Sequence, residues 1–294
     1  MTFIDFVVEN NLGDISNDIS FKEITTIGCG GHIDVVYTPN SIESLCKAYR
    51  FICQNNLKYL IVGNGSNILA LDSFYSGIVI HVKKLPYFYN VVDKKLIVSA
   101  FYPTNKLAYN LAKEELGDLS FLGGIPGLLG GCVYNNGGAY NDNISNHVLS
   151  VKYINTAGNI VEITQSNCAF SYRKSIFHYI KGIIIEVSLE INKINTIDKL
   201  NDRKNKRLLT QPHEYKNMGS IFKNPQLIPA WKIIDALNMR GFKLGNAQVS
   251  EKHTNFIINL GNCNSQDILN IITIIQTRSK LEFGIELENE ITIV

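Results

Sequence analysis

No two of the six cysteines (Cys29, Cys46, Cys53, Cys132, Cys168 and Cys263) stand at Cys-x-x-Cys spacing. That excludes a zinc knuckle or a dithiol redox motif, and no metal site is expected. Nor are the cysteines dense enough for a disulfide scaffold, so reduced thiols and a cytoplasmic setting are expected. A dominant charge is missing too: 28 Lys and Arg against 26 Asp and Glu leave a net charge of +2. Such a balance provides no broad basic field for nucleic acid or a membrane surface, so any anionic ligand must be held by local groups. No apolar run approaches the roughly 18 residues needed to cross a bilayer. The opening MTFIDFVVENN places Asp5 and Glu9 where a secretory leader needs positive charge. With 45% hydrophobic residues over 294 positions, the chain has the composition of an ordinary globular protein with one large domain or two moderate ones.

What the chain does have is a concentration of glycine between Phe121 and Tyr140, FLGGIPGLLGGCVYNNGGAY. Glycine has no Cβ, so this stretch admits positive φ and lets a ligand approach the main chain. Pro126 stiffens its first turn. Ile125, Leu128, Leu129 and Val133 lie between the glycines, which argues for a packed, ligand-facing loop over a solvated spacer.

In chain order, residues 1–20 read as a helical or irregular lead-in. TTIGCGGHIDVVYTP, from Thr25, reads as a glycine turn before a strand over 33–37; close approach to a ligand and a plain inter-strand turn are both open. Residues 41–57 carry Ile42, Leu45, Tyr49, Ile52 and Cys53 at helical spacing. The apolar run from Tyr59 empties into Gly63-Asn64-Gly65-Ser66-Asn67, where successive N–H groups can form an anion-binding nest, or an ordinary turn. It is neither a Walker loop nor G-x-G-x-x-G. Strands are expected over 77–82 and 96–100, a helix over 104–116, a hairpin of 151–154 with 161–164 through Gly158, and a strand over 182–191. Arg173, one of six arginines, follows Tyr172; its guanidinium fork suits a carboxylate, and stacking on Tyr172 as a surface residue is the other reading. Residues 192–210 turn polar and read as a solvated linker helix near a domain boundary. Beyond it lie NMGSIFKNP, a helix opened by Pro229, a polar turn into a strand over 256–260, and a last helix capped by Ser265. The chain closes on an apolar strand introduced by Glu290.

Taken together and in order, GNGSN, GIPGLLGGCVYNNGGAY, NMGSIFKNP and AQVSEKHTNF resemble the UDP-N-acetylenolpyruvoylglucosamine reductase family, in its compact form, from about Thr25 to Glu290. His32, Asn135 and Gly137 stand where that family often has proline, methionine and alanine. The resemblance implies an α+β fold: an FAD-binding domain of the vanillyl-alcohol-oxidase (PCMH) type over 1–192, then a smaller α/β substrate-binding domain over 193–294 whose last strand returns to the active site. It implies FAD contacts from Gly63, Asn64, Gly65, Ser66 and Asn67. Further FAD contacts are implied from Gly123, Ile125, Pro126, Gly127, Gly130, Gly131, Asn136 and Ala139. Arg173, Ser220 and Glu290 match the catalytic positions; Tyr172, Lys223, Asn224 and Gln248 fall in segments that meet substrate.

The implied activity is reduction of UDP-N-acetylglucosamine enolpyruvate to UDP-N-acetylmuramate in peptidoglycan synthesis, with NADPH as reductant and no obligatory protein partner. Two rivals stand beside it. One is an oxidase of the same fold with flavin attached through His32 or Cys132; the other is a non-catalytic nucleotide-binding protein that retains only the loops.

Overall fold

The computed structural model describes residues 1–294 and divides into two compact units, each assembled from discontinuous pieces of chain. The first comprises Met1–Asn17, Val35–Gly63 and Ser76–Asn205; the second comprises Asp18–Asp34, Asn64–Tyr75 and Lys206–Val294. The expected cut between 192 and 193 falls inside the first unit. Both 18–34 and 64–75 pack with the C-terminal part because their apolar residues Ile27, Cys29 and Leu69 complete its core.

In the first unit, helix Ile42–Gln54 starts where Ser41 accepts a hydrogen bond from the Ser44 N–H at 3.1 Å, and it buries Leu45, Ala48, Tyr49 and Ile52. Strand Tyr59–Val62 pairs in parallel with Ile78–His81, so Val62 lies opposite His81 and the chain leaves the sheet at Gly63. A second, antiparallel sheet runs in the order Ile160–Thr164, Val148–Ile154, Ile183–Glu190, Lys95–Ser99, Tyr89–Val92. Val98, Val151 and Val187 on this sheet pack against Leu107, Leu111, Leu129 and Val133, which come from helices Thr104–Lys113 and Leu129–Tyr134. Strand Tyr89–Val92 is an addition to the expected set. It closes a hairpin with Lys95–Ser99 through Asp93 and Lys94, both at positive φ, and its half-exposed Val91 and Val92 show no buried face by which the pattern announces a strand.

Helix Ile197–Thr210 is the expected, mostly exposed helix, but one side of it is fastened to the first unit. Leu200 is buried to 3% exposure against Gly123, where a Cβ would collide with its methyl group. Arg203 donates to Ser120 Oγ at 2.7 Å, and the Tyr140 hydroxyl donates to the Arg203 carbonyl at 3.0 Å. A mostly polar helix thus binds the glycine-rich stretch through one leucine and its arginine.

The second unit holds a four-stranded sheet in the order Lys216–Asn217, Ile257–Asn259, Ala247–Val249, Lys243–Leu244. Helices Ala230–Ala236 and Ser265–Phe283 supply Ile233, Ile234, Ile268 and Ile272 to its core. The last helix is capped by Asn264, whose side chain accepts from the Gln266 N–H at 2.7 Å; the expected cap, Ser265, is the first helical residue. Ser265 is held instead by Asp72, whose Oδ2 accepts from its N–H and its hydroxyl, each at 2.8 Å. The C-terminal strand Thr292–Ile293 pairs in parallel with Ile68–Leu69, directly after the GNGSN loop. Asp72→Ala, which strips both acceptor bonds from the start of the last helix, is expected to destabilise the protein by about 1 kcal/mol. A thermal melt that matches the parent would contradict this.

Candidate active site

In the first unit the glycine-rich stretch forms a short 3-10 turn, Ser120–Gly124, and then helix Leu129–Tyr134. Its inner side is committed to the fold. Leu129 and Gly130 donate their N–H groups to the carbonyls of Tyr102 and Ala100 at 2.9 and 2.7 Å, and the Thr104 hydroxyl donates to the carbonyls of Ile125 and Gly127. Gly127 sits at φ +131°, which a side chain would oppose. The outer side is bare: a Cβ at Gly131 would meet nothing within 4 Å. Asn136 is buried, donates to the Ser171 carbonyl at 2.9 Å and accepts from the Ser145 N–H at 3.2 Å. Its amide therefore ties down the turn that carries Arg173.

That turn is tight, with Ser171 and Lys174 exchanging main-chain hydrogen bonds and Arg173 held at φ +57°. The left-handed conformation is a strain that the surrounding bonds over-determine. The guanidinium stacks on Tyr172, as one of the two earlier readings has it. It lies over the Tyr172 ring, Cζ 5.1 Å from the centroid, and Nη2 donates to the Gly138 carbonyl at 3.2 Å. Arg173 and the glycine-rich stretch, including Gly138 and Ala139, thus come together. Nearby, burial pushes the Cys132 thiol up to about 12, against the opposing pull of Arg173, so it is not a thiolate available for attachment at neutral pH.

His81 was missed by the sequence reading. The parallel register brings it beside the main chain at Gly63, and its Nε2 is buried with no hydrogen-bond partner in the protein. A buried nitrogen of this kind calls for a partner that the protein itself does not supply.

In the second unit, Gly65 takes φ +61° and fits so closely against Ile24 and Thr25 that a Cβ would strike the Ile24 carbonyl. The Thr26 N–H donates to the Gly65 carbonyl at 3.1 Å, and the Thr26 hydroxyl donates to the Asn217 carbonyl at 2.7 Å. Asn217 in turn accepts from the Gly219 N–H at 3.0 Å, immediately before Ser220. On the other side, Asn67 Nδ2 donates to the Glu290 carbonyl at 3.0 Å, and the Glu290 N–H donates to the Ile221 carbonyl at 2.7 Å. Asn67, Ser220 and Glu290 are therefore neighbours although they are far apart in sequence. Lys223, on the same segment, pairs with Glu288 at 3.0 Å. Asn224 accepts from the Ala230 N–H at 3.0 Å and Gln248 donates to the Gly241 carbonyl at 3.1 Å, so both carry structural bonds.

Comparison with known proteins bears on this arrangement directly. Residues 33–164 match a family described as "FAD binding domain", and residues 211–294 match "UDP-N-acetylenolpyruvoylglucosamine reductase, C-terminal domain". The UDP-N-acetylenolpyruvoylglucosamine reductases of Clostridium tetani and Carboxydothermus hydrogenoformans are each 36% identical to it. The matches span 99% and 92% of this chain and 96% and 90% of those proteins. The chain belongs to the UDP-N-acetylenolpyruvoylglucosamine reductase family. The crystal structure of the Thermus caldophilus member, 28% identical, superposes with a TM-score of 0.79 over 95% of this chain and 98% of that one. Berberine bridge enzyme from Eschscholzia californica shares the fold alone, at 13% identity and a TM-score of 0.51 over 65% of this chain and 43% of that one.

Membership makes this chain an FAD-dependent oxidoreductase. Its fold is the α+β FAD-binding domain of the vanillyl-alcohol-oxidase type followed by a smaller α/β domain. The residues present fit that cofactor: bare main chain at Gly131 and the orphaned His81 Nε2 beside Gly63 are places where its polar atoms would bind. No helix is long and apolar enough to cross a membrane.

His81 and His253 share one electrostatic feature. Burial lowers the pKa of both, aided by Lys83 and Lys84 for His81, and by Arg240 and Arg207 for His253. Below about pH 6.5 the unfolded chain binds protons at these sites that the folded chain resists. Their contribution to stability is present above that pH and is lost as the pH falls toward the depressed values. The melting temperature is expected to hold between pH 7 and 8 and to drop from about 6.5 downward, with a shallower drop in His81→Asn and in His253→Gln. Equal slopes in parent and both variants, measured by calorimetry across that range, would contradict the assignment.

Proposed function

We propose that the chain reduces UDP-N-acetylglucosamine enolpyruvate to UDP-N-acetylmuramate, with NADPH as the reducing co-substrate, in the cytoplasm. The part that matches the FAD-binding family takes the flavin-binding role and the C-terminal part the sugar-nucleotide role. Bound FAD supplies the carrier that accepts hydride from NADPH and passes it on. In balance, the enol ether double bond gains a hydride at its terminal carbon and a proton at the carbon α to the carboxylate, while NADPH leaves as its oxidised form.

The residues of this chain account for the charge that develops. As hydride arrives, negative charge grows on the α carbon and delocalises into the carboxylate. Arg173, held by Tyr172 and Gly138, is the cation for that carboxylate. Glu290 hydrogen-bonds to the same group as its acid. Ser220 donates the proton to the α carbon: a hydroxyl is a weak acid, but the developing enolate is a strong base. Tyr172, Lys223, Asn224 and Gln248 are assigned to the sugar nucleotide, and the glycines, Ile125, Pro126, Asn136 and Ala139 of the glycine-rich stretch to the flavin with Gly63–Asn67. The observation that supports this reading is the bond from the Glu290 N–H to the Ile221 carbonyl, which puts Glu290 and the residue after Ser220 on adjoining segments next to Asn67.

Ser220→Ala is expected to leave flavin reduction by NADPH intact and to slow reoxidation by substrate ~10²–10⁴-fold, the range for a lost proton donor. Normal reoxidation in an anaerobic stopped-flow trace removes Ser220 from the chemistry. Acid precipitation is expected to leave the flavin in the supernatant; a yellow pellet would favour a covalently attached cofactor.

A further inference from the structure

Asn255 lies just before strand Ile257–Asn259, is 3% exposed, and directs all its polar groups but the N–H at one short segment. Its main-chain carbonyl accepts from the Ile221 N–H at 2.9 Å. Its side-chain Oδ1 accepts from the Phe222 N–H at 3.0 Å, while Nδ2 donates to the Phe222 carbonyl at 2.8 Å. The carboxamide therefore stands in for a neighbouring strand, presenting the donor and the acceptor that a peptide unit would present. The opposite edge of the same segment is paired by residues 288–290: the Glu290 N–H donates to the Ile221 carbonyl at 2.7 Å, and the Lys223 N–H donates to the Glu288 carbonyl at 2.9 Å.

Ser220 is the residue between two asparagine clamps. Upstream, Gly219 is at φ +80° with its N–H on Asn217 Oδ1 at 3.0 Å; downstream, Ile221 and Phe222 are on Asn255. We propose that Asn255 is a positioning residue for the proton-transfer step, setting the Ser220 hydroxyl through the main chain of Ile221 and Phe222. The proposal rests on the reading that Ser220 is the proton donor. Asparagine is required chemically. Aspartate keeps an acceptor for the Phe222 N–H but turns a second oxygen on the Phe222 carbonyl, and alanine leaves both groups of a residue only 1% exposed without partners. Displacement of a reacting group by about 1 Å is enough to slow a reaction on the order of 10²-fold.

The test is a double-mutant cycle with Ser220→Ala, read on the holoenzyme by stopped flow. Asn255→Ala is expected to retain flavin, to be reduced by NADPH within about twofold of the parent rate, and to be reoxidised by substrate ~10–10²-fold more slowly. The double variant is expected to match Ser220→Ala alone within about twofold, because a hydroxyl that is absent cannot be misplaced. Losses that multiply in the double variant would identify a general structural defect and overturn the proposal. Asn255→Asp, the milder perturbation, is expected to show the same non-additivity; if neither variant keeps flavin, Asn255 is a folding residue and the proposal falls. Normal reoxidation in Asn255→Ala beside a slowed Ser220→Ala overturns this proposal alone, whereas a normal Ser220→Ala trace removes the underlying assignment.

Discussion

The hydrogen bond from the Glu290 N–H to the Ile221 carbonyl is short and joins the end of the chain to a segment far upstream. A main-chain bond of this kind contributes only about 1 kcal/mol by itself. Its importance is positional. It belongs to a set in which Asn67 holds the Glu290 carbonyl, Asn255 holds Ile221 and Phe222, and Asn217 holds Gly219. Each partner constrains the next, so Ser220 and Glu290 are placed by main chain and carboxamide groups rather than by long, flexible side chains. Preorganisation of this sort lowers the reorganisation that a reacting charge would otherwise require.

The discontinuous make-up of the two units follows from the same logic. The segments 18–34 and 64–75 leave the sequence of the first unit and complete the core and the loops of the second, through Ile27, Cys29 and Leu69 and through the Asp72 bonds to Ser265. The glycine loop that begins at Gly63 is thereby continuous in sequence with a strand of the first unit. Its later residues are bonded to the turn before Ser220 through Thr26 and to Glu290 through Asn67. In the first unit the glycine-rich stretch is fastened on its inner side by Thr104, Ala100 and Tyr102, and by Leu200 and Arg203 from a helix whose composition suggests only solvent. The open main chain at Gly131 is the complement of that fastening.

Much of the architecture was legible because it rests on local periodicity. The helix over 42–54, the strand that runs into Gly63, the strand that follows Gly182 and the last long helix are all announced by apolar spacing and turn residues. The ordered motifs also carried the resemblance to the family. Other features were illegible for identifiable reasons. Strand Tyr89–Val92 has no buried face to show, and Ser265 is bound by Asp72 from far along the chain while Asn264 takes the cap. Asn255 and Thr26 look like ordinary turn residues until their partners are known.

By itself the sequence determined most element types, the glycine loops and the chemistry of the side chains in NMGSIFKNP, in Tyr172-Arg173 and at Glu290. These follow from covalent structure and near-neighbour sterics, which act over a few residues. Tertiary structure alone decided that the Glu290 carbonyl meets Asn67, that Asn255 grips Phe222, that His81 Nε2 is buried beside Gly63 without a partner, and that Leu200 seals Gly123. Such pairings depend on which distant hydrogen-bonding groups are buried together, and local pattern carries no information about the partner.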